Sequence, residues 1–147
     1  MTIDEAFDIL HSLPPEWGAS EQEVCEVEAK LGVRLPATLR ELMLCTGHWD
    51  HIDWLFPRGD IGSLAALPGL QESAAEILAD DSPDLHPKFP FVTLSQHDGY
   101  YFTFVRADLD TDPPIQGYME VDGISPCEGI PLRQSIALSV MRAVSKT

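Results

Sequence analysis

Two imidazoles and two carboxylates fall within six consecutive residues, His48-Trp49-Asp50-His51-Ile52-Asp53. These are residue types that ligate zinc and other divalent ions. The spacing is not that of a helical His-Glu-x-x-His motif, and a His-x-x-His pair in a loop needs further ligands from elsewhere. His86 and His97 are available, but no spacing ties them to the pair. The expectation is a polar loop, with no metal and no cofactor. A second acidic run, Asp108, Asp110 and Asp112, alternates like the start of a calcium loop. Such a loop requires glycine at its sixth position and glutamate at its twelfth. Counted from Asp108, those positions hold Pro113 and Met119, and the pattern fails.

Nucleophilic catalysis finds no support either. The chain has no Gly-x-Ser-x-Gly, and no cysteine carries a recognisable histidine signature. Gly59, Gly62 and Gly69 are scattered and do not form a phosphate-binding loop. The expectation is a protein that is not an enzyme. What remains is binding. Trp49, Trp54 and Phe56 stand among acids, and large aromatics of this kind anchor interfaces while carboxylates meet basic partners. The candidate partner contacts are Trp49, Asp50, Asp53 and Trp54, together with Asp108, Asp110 and Asp112. The competing reading places the aromatics in the core beneath a loop.

Charge narrows the partner. The chain carries 24 acids against nine bases, a formal net charge of −15. Nine acids and three bases lie in residues 1–47, fifteen acids and three bases in 48–128, and three bases without an acid in 129–147. Such a chain is repelled by nucleic acid and by anionic lipid, and drawn to basic proteins. No segment reaches the roughly 18 apolar residues of a membrane span. The acidic start, MTIDEAFDIL, lacks the basic end and apolar centre of a signal peptide, so the cytoplasm is the expected compartment. Cys25, Cys45 and Cys127 are odd in number and far apart, which reads as small buried thiols.

The elements that must position these residues follow from periodicity. A chain of 147 residues is the size of one domain, taken here as residues 1–147. Residues 2–13 form a first helix, with a capping box from Thr2 and Glu5 and an apolar face of Ile3, Ala6, Phe7, Leu10 and Leu13. Pro14-Pro15 stops it, and Trp17 reads as a packing residue between the first two helices. Residues 20–47 form two helices around a corner. Ser20 and Glu23 make a capping box, and Val24, Val27 and Leu31 form the apolar stripe. Gly32 is the left-handed stop, and Pro36 sits in the first turn of the next helix. Leu39, Leu42 and Met43 are its buried side, and Gly47 ends it.

Residues 52–56 and 61–64 read as short strands, Pro68-Gly69 as a turn and residues 71–79 as a helix. Residues 91–94 and 100–105 are strands joined by a turn containing Asp98-Gly99. Residues 115–121 make a third strand, Asp122-Gly123 a turn and residues 132–144 a closing helix. Helices, then strands, then a helix argue for α+β. The expected architecture is a mostly antiparallel mixed sheet with helices packed mainly on one face.

The capped acidic helix, the Leu-Gly-Val-x-Leu-Pro corner of residues 31–36 and the leucine-rich helix after it resemble the SUKH superfamily. That superfamily comprises Smi/Knr-type cell-wall regulators and bacterial toxin-immunity domains. Members often carry a Gly-Gly pair after the second helix, where this chain has Thr46-Gly47-His48. The resemblance implies a protein-binding scaffold whose variable loops and sheet face meet a partner. The function it implies is an immunity protein that occludes a cognate polymorphic toxin, basic and nuclease-like, as a monomer or weak homodimer. The alternatives are a regulatory or scaffold protein of the cell-wall type, and a small metal-dependent hydrolase using His48 and His51.

Overall fold

The computed structural model describes residues 1–108, 111–125 and 129–146, with the backbone alone at residues 49 and 50. Five helices come first: α1 (Ile3–His11), α2 (Glu21–Leu31), α3 (Ala37–Thr46), α4 (Trp49–Leu55) and α5 (Leu67–Ala79). Four strands follow, β1 (Phe91–His97), β2 (Tyr101–Arg106), β3 (Gln116–Met119) and β4 (Gly123–Ile124), and then α6 (Leu132–Ser145). The strands run in spatial order β1-β2-β3-β4, and each neighbouring pair is antiparallel. This is a single α+β unit.

The α2–α3 corner forms as its residues dictate. Ser20 Oγ accepts from the Glu23 amide at 3.1 Å, and Glu23 accepts from the Ser20 amide at 3.0 Å, a complete capping box. Gly32 takes φ 75° and ψ 13°, the left-handed conformation that a side chain disfavours. Glu28, which sequence reading passed over, clamps the corner by accepting from the Leu35 amide at 2.7 Å. Pro36 stands one position earlier than expected, as the residue before α3. Leu39, Leu42 and Met43 are fully buried.

Alternate residues of β2 serve two apolar clusters. Val105 joins Val92, Leu94 and the helical core of α1, α3, α4 and α6. Phe102 and Phe104 join Tyr118 of β3 and Ala74 and Ile77 of α5. The β1–β2 hairpin turns through Asp98 at φ 55° and Gly99 at φ 78°, closed by the Tyr100 amide on the His97 carbonyl at 3.3 Å. Those signs define a type I′ turn, the form whose twist matches the strands.

Three local expectations are corrected. Residues 52–56 are not an edge strand: they lie mostly in α4, where Ile52 and Leu55 are buried one helical turn apart. Residues 61–64 are not a strand either, although the Gly62 amide gives one bond to Leu94 O on the outer edge of β1. Pro68-Gly69 is not a turn but lies in the first turn of α5, where a missing N–H costs nothing. The Gln71 side chain covers the rest of that edge, donating to Phe91 O at 3.0 Å and accepting from the Thr93 amide at 2.8 Å. An open strand edge is thus paired by a side chain.

Because nothing lies within 4 Å of a Cβ built at Gly32, the cost of a substitution there is conformational. Gly32→Val should cost about 1–2 kcal/mol or more in urea unfolding, and Gly32→Asn distinctly less. Leu42→Ala should cost about 2–5 kcal/mol by the same measurement, the range for a core leucine.

Candidate partner-binding surface

The two acidic segments singled out by sequence lie at opposite ends of α6. Asp112 meets the first turn, where the Arg133 amide donates to its Oδ1 at 2.6 Å. Arg142, in the last turn, donates to Leu55 O at the end of α4 at 2.8 Å. At 1.5 Å per helical residue, Arg133 and Arg142 are about 14 Å apart along α6.

Residues 111–113 form a structural clamp. α3 and α6 each start after a proline, Pro36 and Pro131, that supplies no side-chain cap. Acceptors from the loop stand in: Thr111 O takes the Thr38 amide at 3.0 Å, and Pro113 O takes the Leu132 amide at 3.0 Å. Asp112 adds its carboxylate next to them, at the positive end of the helix. Asp108 is held by Arg106, whose Nε and Nη2 donate to its two oxygens at 3.0 and 2.7 Å. Arg106 in turn stacks on Phe89 at 4.1 Å. Asp110 lies outside the described residues, as do the side chains of Trp49 and Asp50.

α4 carries the rest of the predicted contacts. Asp53 is exposed and Trp54 is half-buried. Trp17 packs against α4, not between the first two helices as expected. It stacks flat on His51, with centroids 4.6 Å apart and planes at 6°, and meets Trp54 edge-on at 5.8 Å. A Cβ at the neighbouring Gly18 would lie 1.8 Å from Leu44 O. Only glycine allows the Trp17 segment to press so closely on α3. His48 and His51 therefore diverge, one toward Glu16 and Glu23 and the other onto Trp17. Among the described residues, no three His, Cys, Asp or Glu side chains converge as a metal site.

Sequence reading missed two arrangements. The first is an acidic stripe on the exposed side of α5, Glu72, Glu76 and Asp80 at four-residue spacing. Among the described residues, none of the three has an ion pair. Glu76 and Asp80 face Asp98 and Gln96 of the hairpin across a polar hollow of about 490 Å³. The spacing was a readable signal. The second is a mostly apolar groove of about 580 Å³ between the end of α1 and α3, floored by Leu10, Leu13, Pro14 and Leu44. On its wall Cys45 Sγ lies 3.4 Å from His11 Nδ1, and His11 Nε2 lies 2.6 Å from Glu41. This has the outline of nucleophile, base and orienting acid. Burial, and then the Glu41 charge, push the thiol up to about 11, so it is not an activated nucleophile. Residues 34 positions apart leave no such signal in sequence. Of the cysteines expected to be buried, Cys25 is exposed, Cys45 is half-buried and Cys127 lies outside the described residues.

Residues 18–127, from the Trp17 link through the sheet, match the SMI1 / KNR4 family (SUKH-1). The chain belongs to that family. SUKH domains are generally non-catalytic and serve immunity or regulatory roles. No curated protein matches the chain. For a SUKH domain the relevant surface is one that meets another protein, and the exposed acids of α4 and α5 are its candidates here.

Asp112→Ala should cost about 0.5–2 kcal/mol of stability, the range of a lost helix cap, read as a fall in the denaturant midpoint. At pH 8 iodoacetamide should label Cys25 well before Cys45, because Cys45 remains a thiol while Cys25 is exposed; peptide mass spectrometry gives the order.

Proposed function

We propose that the protein is a non-enzymatic binding module for a basic protein, specifically an immunity protein that neutralises a cognate bacterial toxin by covering it. One observation carries the reading: a track of acids along α2 and α5, those of α5 without an ion pair among the described residues, on a domain of a family that binds proteins. Lys30 and Pro68 line two adjoining grooves, one leading to Glu23 and Glu26 on α2 and the other to Glu72 on α5. The track then continues along α5 to Glu76 and Asp80. The further contacts are Trp49, Asp50, Asp53 and Trp54. Asp110 adds its charge to the acidic total, while Asp108 and Asp112 act first on the fold.

The mechanism is steric and electrostatic. A negative field raises the encounter rate with a basic toxin by orders of magnitude, and the docked domain then blocks the toxin's nucleic-acid site. No cofactor takes part. The domain works in the cytoplasm of the producing cell, as a monomer or weak homodimer.

Co-expression with the toxin encoded beside its gene should restore growth, and the purified pair should form a complex. Glu72→Gln, Glu76→Gln and Asp80→Asn together should slow association at low salt, with little change in melting temperature. The difference should shrink as added salt brings the Debye length below about 8 Å. A toxin neighbour that is not restrained, together with salt-insensitive association, would sink the reading.

A further inference from the structure

His48 stands where three segments meet, and its ring nitrogens face two different acceptors. Nδ1 lies 3.0 Å from the carbonyl oxygen of Glu16. A carbonyl only accepts, so Nδ1 carries the proton and donates. In the neutral ring Nε2 is then a bare acceptor, and it lies 3.4 Å from Glu23 Oε2. The Glu23 carboxyl is itself held below the usual carboxylate range, chiefly by the Ser20 amide of the capping box. With the ring neutral, two acceptors face each other with no hydrogen between them; with the ring protonated, the same two atoms form an ion pair. They open into a groove of about 390 Å³ whose apolar side is Val27, Leu64 and Pro68, with Glu26 on its acidic wall.

We propose that this groove is a socket for a lysine side chain of the partner, with the ammonium donating to His48 Nε2 and Glu23 Oε2 together. The proposal rests on the reading that the partner is basic, and names where and how one of its cations is held. An ammonium is a compact charge with three donors, so two can serve acceptors this close while the third turns to Glu26, one helical turn along α2. The four-carbon stem has Val27, Leu64 and Pro68 to lie against, as lysine stems do on apolar surface. Arginine carries its donors in a rigid planar fork suited to a single carboxylate. A proton on His48 supplies the same missing donor, so proton and lysine compete for one place. The other titratable groups facing the groove are Glu23, Glu26 and Lys30 from α2 and His51 from α4; the Leu64–Ala66 turn and Pro68 bring none.

The test is an NMR titration of the isotope-labelled full chain with tetralysine, tetra-arginine and tetranorleucine. Tetralysine should shift the amides of Val27, Gly47, His48 and His51. Tetra-arginine should do so several-fold more weakly, and tetranorleucine not at all. Glu23→Gln should abolish most of the tetralysine shift. Glutamine still serves at this position of a capping box, and an unchanged circular dichroism spectrum checks that α2 is intact. His48→Phe, which removes the other acceptor, should have the same effect and decides the matter if Glu23→Gln disturbs α2. Shifts that survive both variants, or that spread evenly over the acidic surface, overturn the socket. So does zinc moving the same amides at far lower concentration than tetralysine, which would make the groove a metal site. A basic partner that binds wild type and Glu23→Gln alike removes the socket but leaves the proposed function standing. Tetralysine seated in the groove while no toxin is restrained does the reverse.

Discussion

Two helices of this domain begin on a proline, and the fold depends on how their first amides are satisfied. Pro36 and Pro131 set the right backbone angle for a helix start but offer no side-chain acceptor. The unpaired donors at a helix N-terminus must find partners elsewhere when they are buried. One loop, between β2 and β3, answers for both helices with Thr111 O, Asp112 Oδ1 and Pro113 O. It thereby fixes α3 against α6 and both against the sheet. Because α6 in turn reaches the end of α4 through Arg142, the placement of the aromatic surface at Trp17, His51 and Trp54 follows from the same clamp.

That clamp changes what the acids mean. In the sequence, Asp108 and Asp112 look like free charge on a loop, because only their crowding is visible. Folded, one neutralises Arg106 and the other caps α6. A carboxylate engaged by a guanidinium or a helix amide loses its hydrogen bonds if a partner claims it, so such residues make poor contacts and good supports. Among the described residues, the stripe on α5 has no ion pair. Its acids were legible at helical spacing, but the start of α5 was hidden by Pro68-Gly69, which reads as a turn until its place in a first helical turn is known.

Legibility tracked the range of the interaction. The α2–α3 corner was readable because the capping box, the left-handed glycine and the leucine stripe are all set within a few residues. The Asp98-Gly99 turn was readable for the same reason. Residues 52–56 were misread because Ile-Asp-Trp-Leu-Phe suits a strand by residue type, and burial of Ile52 and Leu55 on the helical core overrides that preference. The pairing of Gln71 with β1, and the Cys45–His11–Glu41 row, join positions far apart in the chain. No local pattern encodes them. Of the surface proposed here, α4 was marked by its composition and the α5 acids by their spacing, while the contact of α4 with Trp17 and the adjacency of α2 to α5 required the fold.

The distribution of bases completes the physical picture. Arg40, Arg106 and Arg133 are each spent within the domain, on Glu21, on Asp108, and on Asp4 and Glu41. Arg133 also covers the Phe7 ring at 3.8 Å, so its charge helps to seal the α1–α6 contact. With few bases in the chain and these three used internally, Glu72, Glu76 and Asp80 of α5 have no ion pair among the described residues and repel one another at helical spacing. Self-repulsion of this kind lowers the stability of the free domain, and any ligand that binds only the folded state returns stability by mass action. A basic partner is the ligand that relieves the repulsion most directly. Under the proposed function, binding and folding are coupled through one charge distribution: Arg40, Arg106 and Arg133 are placed where the domain's own acids and aromatic rings need them, and the acids of α5 are left for a basic protein to neutralise.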